Sequence, residues 1–191
     1  MCIITLFMSS TPLTIALMIG SVRPSRQSHK PAEALATLLH KQGIEPILLD
    51  LLQLDLPMFA DDISSASAQT LLETYKQMDG MILVSPEYNH SIPACVKNAI
   101  DFARQKELAE IPLAIATTSI GPLGGARALE AIRQSWFGVR GIVIPPFLQV
   151  PFVADFNAEA PDEAWIRNAE AFLVGATRWF SIIKEGKHLV D

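Results

Sequence analysis

The stretch GMILVSPEYNHSIPACVKNAIDFAR, Gly80–Arg104, decides the fold. Met81–Ser85 is a continuous apolar run rather than an alternating one, which predicts a strand covered on both faces. Pro86-Glu87-Tyr88-Asn89-His90 follows and is too polar and too aromatic for a simple connector. Ser91 is placed to cap the next helix, with Pro93 in its first turn, where a missing amide does no harm. Ile92, Cys95, Val96, Ala99, Ile100 and Ala103 then recur at helical spacing and define one apolar face. A buried strand, a polar loop and an amphipathic helix in this order form one unit of an open α/β sheet. Such sheets bind ligands at the carboxyl ends of their strands.

The same unit repeats along the chain. Leu13–Ile19, Ile44–Asp50, Ile111–Thr118 and Ile142–Val150 read as the other strands. Helices are expected from about Ser28 to Gly43, over Ala68–Met78, from Gly125 to about Phe137, and after Asp162. Trp165, Ala169, Phe172, Leu173, Ala176, Phe180 and Ile183 form the stripe of the last helix. Leu51–Ser67 reads as a long connection. Five strands alternating with five helices predict a three-layer α/β/α fold around a parallel sheet, flavodoxin-like in the order 2-1-3-4-5. Pro46 within the second strand argues for an edge position, because proline cannot donate to a ladder.

The 191 residues fit one domain, with residues 1–12 as an N-terminal extension. Half the residues are hydrophobic and 18% are charged, so the chain is expected to fold. A net charge of -5 with no basic run argues against nucleic acid as a partner. No stretch approaches the roughly 20 apolar residues that span a bilayer, and no signal peptide is recognisable, so a cytoplasmic location is expected. Cys2 and Cys95 are far apart, and His29, His40, His90 and His188 are scattered, so neither a disulfide framework nor a metal site is expected.

Three loops carry the candidate chemistry. Gly20–Ser28, GSVRPSRQS, lies between the first strand and a helix N-terminus, where free amides favour an anion. Its serines and Arg23 and Arg26 suit a phosphate, although the same residues also suit a solvated βα loop. It contains neither GxGxxG nor GxxxxGK[ST], which argues against a dinucleotide fingerprint and a nucleoside triphosphatase. In the second loop, Tyr88 offers a flat surface and Glu87–His90 offer backbone polar groups; a core tyrosine and a turn-forming asparagine are the alternative. The third, Ser119–Gly125, has glycines that let backbone approach a ligand, or that merely start a helix. In the predicted topology all three meet at one crevice, which favours a ligand over three coincidences.

GSVRPSR at Gly20–Arg26, SPEYNHSIPACVKNAIDFA at Ser85–Ala103 and GPLGGARALEAIR at Gly121–Arg133 resemble the NADPH-dependent FMN reductase family, which includes quinone, azo-dye and chromate reductases. The resemblance implies that Ser21, Arg23, Arg26 and Ser28 hold the phosphate of FMN. It implies further that Pro86, Glu87, Tyr88 and Asn89 line the ring and ribityl side, and that Ser119, Gly121, Gly124 and Gly125 close the other side. The implied reaction passes a hydride from NADPH, or NADH, to FMN and on to a small-molecule acceptor such as a quinone or free flavin. The cofactor carries the chemistry, so no catalytic side chain is assigned. A homodimer or homotetramer is also implied, with Phe147, Phe152, Phe156 and Trp165 as either contact surface or core. The competing reading is a flavodoxin-type electron carrier or a non-catalytic flavin-binding protein.

Overall fold

The structure, a computed structural model, describes residues 12–103 and 106–187. The expected extension over residues 1–12 lies outside these, Pro12 excepted. The elements are β1 (Ile15–Ile19), α1 (His29–Lys41), β2 (Ile47–Asp50), α2 (Leu51–Leu54), α3 (Ala66–Gln77), β3 (Gly80–Pro86), α4 (Ala94–Asp101), β4 (Pro112–Thr118), α5 (Ala126–Gly138), β5 (Ile142–Val150), a 3-10 turn (Val153–Asp155) and α6 (Glu163–Lys187). All pairings are parallel and the strand order is β2-β1-β3-β4-β5, as the sequence predicted.

β1, β3 and β4 are buried along their whole length, which explains their unbroken apolar runs. Alternate residues feed two cores. Ile15, Leu17, Ile19, Ile82 and Val84 face α1 and α6, where Leu35, Leu39, Phe172 and Phe180 cover them. Ala16, Met18, Met81 and Leu83 face the layer of α3, α4 and α5 with Leu71, Val96, Ile132 and Trp136. Each fully buried large apolar side chain contributes roughly 1.5–3 kcal/mol, so the sheet's two faces carry most of the driving force.

The ends of the elements follow local chemistry. Gly43 closes α1 with φ +76°, and the Ile44 amide donates to the Leu39 carbonyl at 3.0 Å, a glycine-terminated helix end. The Asp162 carboxylate accepts from the Trp165 amide at 2.8 Å and starts α6, as expected. Prolines mark both edges of the sheet. Pro46 lies just ahead of β2 rather than within it. Pro145 and Pro146 fall where the β4–β5 register slips, between Leu113↔Val143 and Ile115↔Phe147.

Two local expectations are corrected. Pro93, not Ser91, occupies the N-cap of α4, and no side chain caps it. Ser91 instead pairs through its backbone with Tyr88, and the chain needs Ile92 and Pro93 to leave that turn before it coils. The long connection after β2 also contains a further helix, α2, because Asp50 Oδ1 accepts from the Leu52 amide at 3.0 Å and starts one turn.

Candidate functional site

The parallel register brings the carboxyl ends of β1, β3 and β4 to one side of the sheet: Ile19 lies beside Val84, and Pro86 beside Thr118. The loop after β1 begins at Gly20, whose amide continues the ladder to the Val84 carbonyl at 2.8 Å. A Cβ at Gly20 would lie 2.6 Å from Val96 Cγ2, so α4 packs directly on this backbone. Ser21 is fully buried, and its hydroxyl is hydrogen-bonded to the Tyr88 hydroxyl at 2.8 Å. The two loops are thus joined at their base.

The two arginines diverge. Arg26 donates through Nη1 to the Ser21 carbonyl at 3.0 Å, and through Nη2 to the Asp50 carboxylate at the end of β2. Its side chain is only 10% exposed and that of Asp50 19%. Arg23 is exposed; its guanidinium lies 5.7 Å from the centre of the Tyr88 ring and donates weakly to Ser25 Oγ at 3.4 Å. Ser28 is the N-cap of α1, yet its hydroxyl caps nothing, is buried, and has no partner.

After β3, Asn89 and His90 both have positive φ, +50° and +63°, and Tyr88 and Ser91 exchange two backbone hydrogen bonds of 3.0 Å. This is the backbone of a two-residue hairpin, which needs left-handed residues at both corners and explains an asparagine there. The turn holds the Tyr88 ring beside Arg23. Glu87 does not turn its carboxylate toward the cavity alone. Oε2 accepts from the amides of Arg127 (2.9 Å) and Ala128 (3.3 Å) at the start of α5. Oε1 meets His90 Nδ1 at 3.4 Å and Arg127 Nη1 at 3.7 Å. Burial pushes the Glu87 carboxyl up, but the two amides, His90 and the Arg127 charge outweigh it and hold the group below the ordinary glutamate range.

The loop after β4 is pinned to the end of β5: the Ser119 amide donates to the Val150 carbonyl at 3.2 Å and the Val153 amide to the Ser119 carbonyl at 3.0 Å. Gly125 has φ +85°, and a Cβ there would fall 2.8 Å from Thr117 Cβ, so only glycine turns this corner against β4.

These loops enclose a cavity of about 280 Å³. Of the residues singled out from the sequence, Arg23, Arg26, Ser28, Pro86, Glu87, Tyr88 and Ser119 line it. A neighbouring cavity of about 360 Å³ shares Glu87 and Ser119 and adds Asn89 and Gly121. Ser21, Gly124 and Gly125 line neither and act from behind the wall. Sequence reasoning missed Thr118, whose buried hydroxyl also lacks a partner, and Arg127 on the second cavity's rim. An orphan hydroxyl has no sequence signature; Thr118 sits at the end of an otherwise apolar strand, and that position was its one hint. A third cleft, about 420 Å³ and mostly apolar, lies on the far side of the Gly20–Arg23 loop beside Cys95, whose thiol burial pushes up.

The loops that form this crevice fall within a stretch that matches known proteins. The model of the NADPH-dependent FMN reductase family matches residues 13–155. The chain belongs to this family. Quinone reductase of Pseudomonas putida is 34% identical over 134 residues, covering 64% of this chain and 68% of that protein. Quinone reductase of Escherichia coli K12 is 32% identical over 137 residues, covering 65% and 70%. Among solved structures, the flavoenzyme NAD(P)H:(acceptor) oxidoreductase FerB of Paracoccus denitrificans superposes with a TM-score of 0.75 at 27% identity, covering 88% of this chain and 97% of that one. The FMN reductase matched here is therefore an oxidoreductase that works with FMN and NAD(P)H.

Proposed function

We propose that this FMN reductase holds FMN in the cavity between the three loops and reduces small quinones and related acceptors with NAD(P)H. The observation that carries the reading is one wall of the cavity: the head of α1, the unpartnered Ser28 hydroxyl and the Arg23 guanidinium stand together beside Tyr88. In that first turn the Lys30 amide already donates to the Gln27 carbonyl at 3.2 Å and Pro31 has no N–H, so the helix acts there chiefly through the positive end of its dipole. A phosphate fits that wall, because a buried hydroxyl without a partner is unfavourable until an acceptor arrives, and the positive end of a helix dipole and a guanidinium both favour an anion. The groups would divide the work. Arg23, Ser25 and Ser28 hold the phosphate. Arg26, tied to Asp50, keeps the loop closed around it. Tyr88, fixed by Ser21, and Pro86 face the ring, with Ser119 and Gly121 opposite and Asn89 at the edge. Gly124 and Gly125 let the chain make the turn. FMN supplies the chemistry, accepting a hydride and delivering electrons to a second oxidant.

The neighbouring 360 Å³ cavity shares Glu87, Ser119 and Ile120 with the first and suits donor and acceptor in turn, which predicts ping-pong kinetics. The quinone assignment draws on the named relatives in Pseudomonas putida and Escherichia coli. We place the enzyme in the cytoplasm, where its nicotinamide donor is, and read the chain as one domain, since both cores share a single sheet. A homodimer or homotetramer is proposed on Phe147 and Phe152, which are 49% and 52% exposed; Phe156 and Trp165 belong instead to the core, in edge-to-face contact at 4.8 Å. The test is direct. The purified chain loaded with FMN is mixed with NADPH and then with a benzoquinone in a stopped-flow cell. Rapid bleaching of the flavin band and its return are expected. A chain that ignores added FMN, or a flavin band that NADPH and NADH leave unchanged, overturns the reading.

A further inference from the structure

Residue 87 is held at both ends. Its amide donates to the Thr118 carbonyl at 3.0 Å, which fixes the backbone to the end of β4. Its carboxylate reaches 40 residues along the chain to α5. That helix has a clear vacancy there: its N-cap is Gly125, which has no side chain to offer, and no acidic residue stands in its first turn. The amides of Arg127 and Ala128 would otherwise lack an acceptor, and Glu87 Oε2 serves both. The side chains facing the carboxylate are the His90 imidazole, from its own loop, and the Arg127 guanidinium, from α5, both at Oε1.

We propose that Glu87 is a positioning residue, whose carboxylate clasps the Tyr88 turn to the amino end of α5 and so sets the width of the 360 Å³ cavity between them. One side of that cavity is Glu87, Asn89 and His90; the other is Ser119–Leu123 and Arg127. With β3 and β4 fixed in the sheet, the loops above them keep one separation only if something ties them, and this carboxylate does so. It also fills the place that an outside anion would take at a helix N-terminus, so the phosphates of a nicotinamide donor are directed away from α5. The clasp itself needs no ligand; what the cavity admits rests on the proposed function.

Two variants test it. Glu87→Gln keeps an acceptor oxygen and loses the charge, whereas Glu87→Ala removes both. Amide hydrogen exchange on the ligand-free chain reads the clasp alone. In Glu87→Ala, Arg127, Ala128 and residues 87–91 should exchange about fivefold to tenfold faster, the loss of one helix cap, while β1 and α1 keep their rates. Glu87→Gln should fall between, and it decides the matter if the alanine variant does not fold. Unchanged rates overturn the clasp. Steady-state kinetics with FMN bound then reads the cavity: KM for NADPH should rise at least as much as the exchange rates, with most of it recovered in Glu87→Gln. Faster exchange with unchanged KM in both variants overturns the positioning role. Faster exchange in a chain whose wild type ignores FMN upholds the clasp and sinks the flavin reading instead.

Discussion

Replacing the two arginines of the first loop separately should give opposite phenotypes. Arg26→Ala leaves the Asp50 carboxylate without its guanidinium and frees the Ser21 carbonyl. Breaking a buried ion pair by removing one partner costs about 3–5 kcal/mol. Asp50 keeps a water-facing fifth of its side chain and the Leu52 amide, which places the effect at the lower end, about 3 kcal/mol. For a chain of this size that lowers Tm by roughly 6–12 °C. Arg26→Met combined with Asp50→Asn should recover most of the loss, since no charge is then stranded and the Leu52 amide keeps its acceptor. Arg23→Ala removes an exposed side chain whose contacts are the Tyr88 ring and a weak hydrogen bond to Ser25 Oγ, so stability should move by about 1 kcal/mol or less. Affinity for FMN, however, should fall roughly ten- to hundredfold, the loss of a charge-assisted hydrogen bond. Circular dichroism melts and flavin-fluorescence titrations measure both, with riboflavin as the ligand that lacks the phosphate. The reasoning fails if Arg26→Ala melts with the wild type, or if Arg23→Ala still prefers FMN to riboflavin as strongly as the wild type does.

Tyr88→Phe strands the buried Ser21 hydroxyl and should lower stability by about 1 kcal/mol while loosening FMN; equal melting of Tyr88→Phe and wild type contradicts the 2.8 Å bond between the loops. Glu87 is held below the ordinary glutamate range, so its contribution is complete above roughly pH 4.3 and is lost as pH falls through the lower folded value. The drop in Tm below about pH 4.3 should therefore be shallower in Glu87→Gln, and parallel acid slopes would count against the clasp. Gly125→Ala meets both a φ of +85° and Thr117 Cβ at 2.8 Å, so a loss of more than about 1 kcal/mol in urea unfolding is expected, whereas Gly121→Ala meets open space and should be near neutral. Thr118→Val removes an unpartnered buried hydroxyl: the free protein should be as stable or more so, yet FMN should bind less tightly, and a fall in the stability of the free protein refutes the orphan assignment.

Much of the fold was legible because the driving forces are local and repetitive. Met81–Ser85 and Pro112–Thr118 advertise burial on both faces by leaving out the polar alternation. Pro46 marked the β2 edge, although it lies one residue ahead of the strand. The topology then followed from the handedness of parallel crossovers, and with it the meeting of three loops. What stayed hidden is what pairs across distance. Nothing near Arg26 announces Asp50, and nothing near Glu87 announces an uncapped helix 40 residues on. Ser91 misled for a related reason: a serine ahead of a helix is a good cap only if the backbone is free to present it, and the hairpin with Tyr88 had already committed it. The predicted site residues were thus found largely in one place but not in one role.

That division of roles changes the electrostatics of the site. The loop sequence counts two arginines for one phosphate, yet Arg26 is neutralised by Asp50, and the Glu87 charge is answered by α5, His90 and Arg127. The attraction left for the proposed phosphate comes from Arg23, the Ser28 hydroxyl and the positive end of the α1 dipole. Because Arg23 is exposed while Ser28 and the helix end are not, added salt should weaken the first contribution and leave the second largely intact. Preference for FMN over riboflavin should therefore decline with ionic strength to a floor set by Ser28 and the head of α1, and Arg23→Ala should start near that floor.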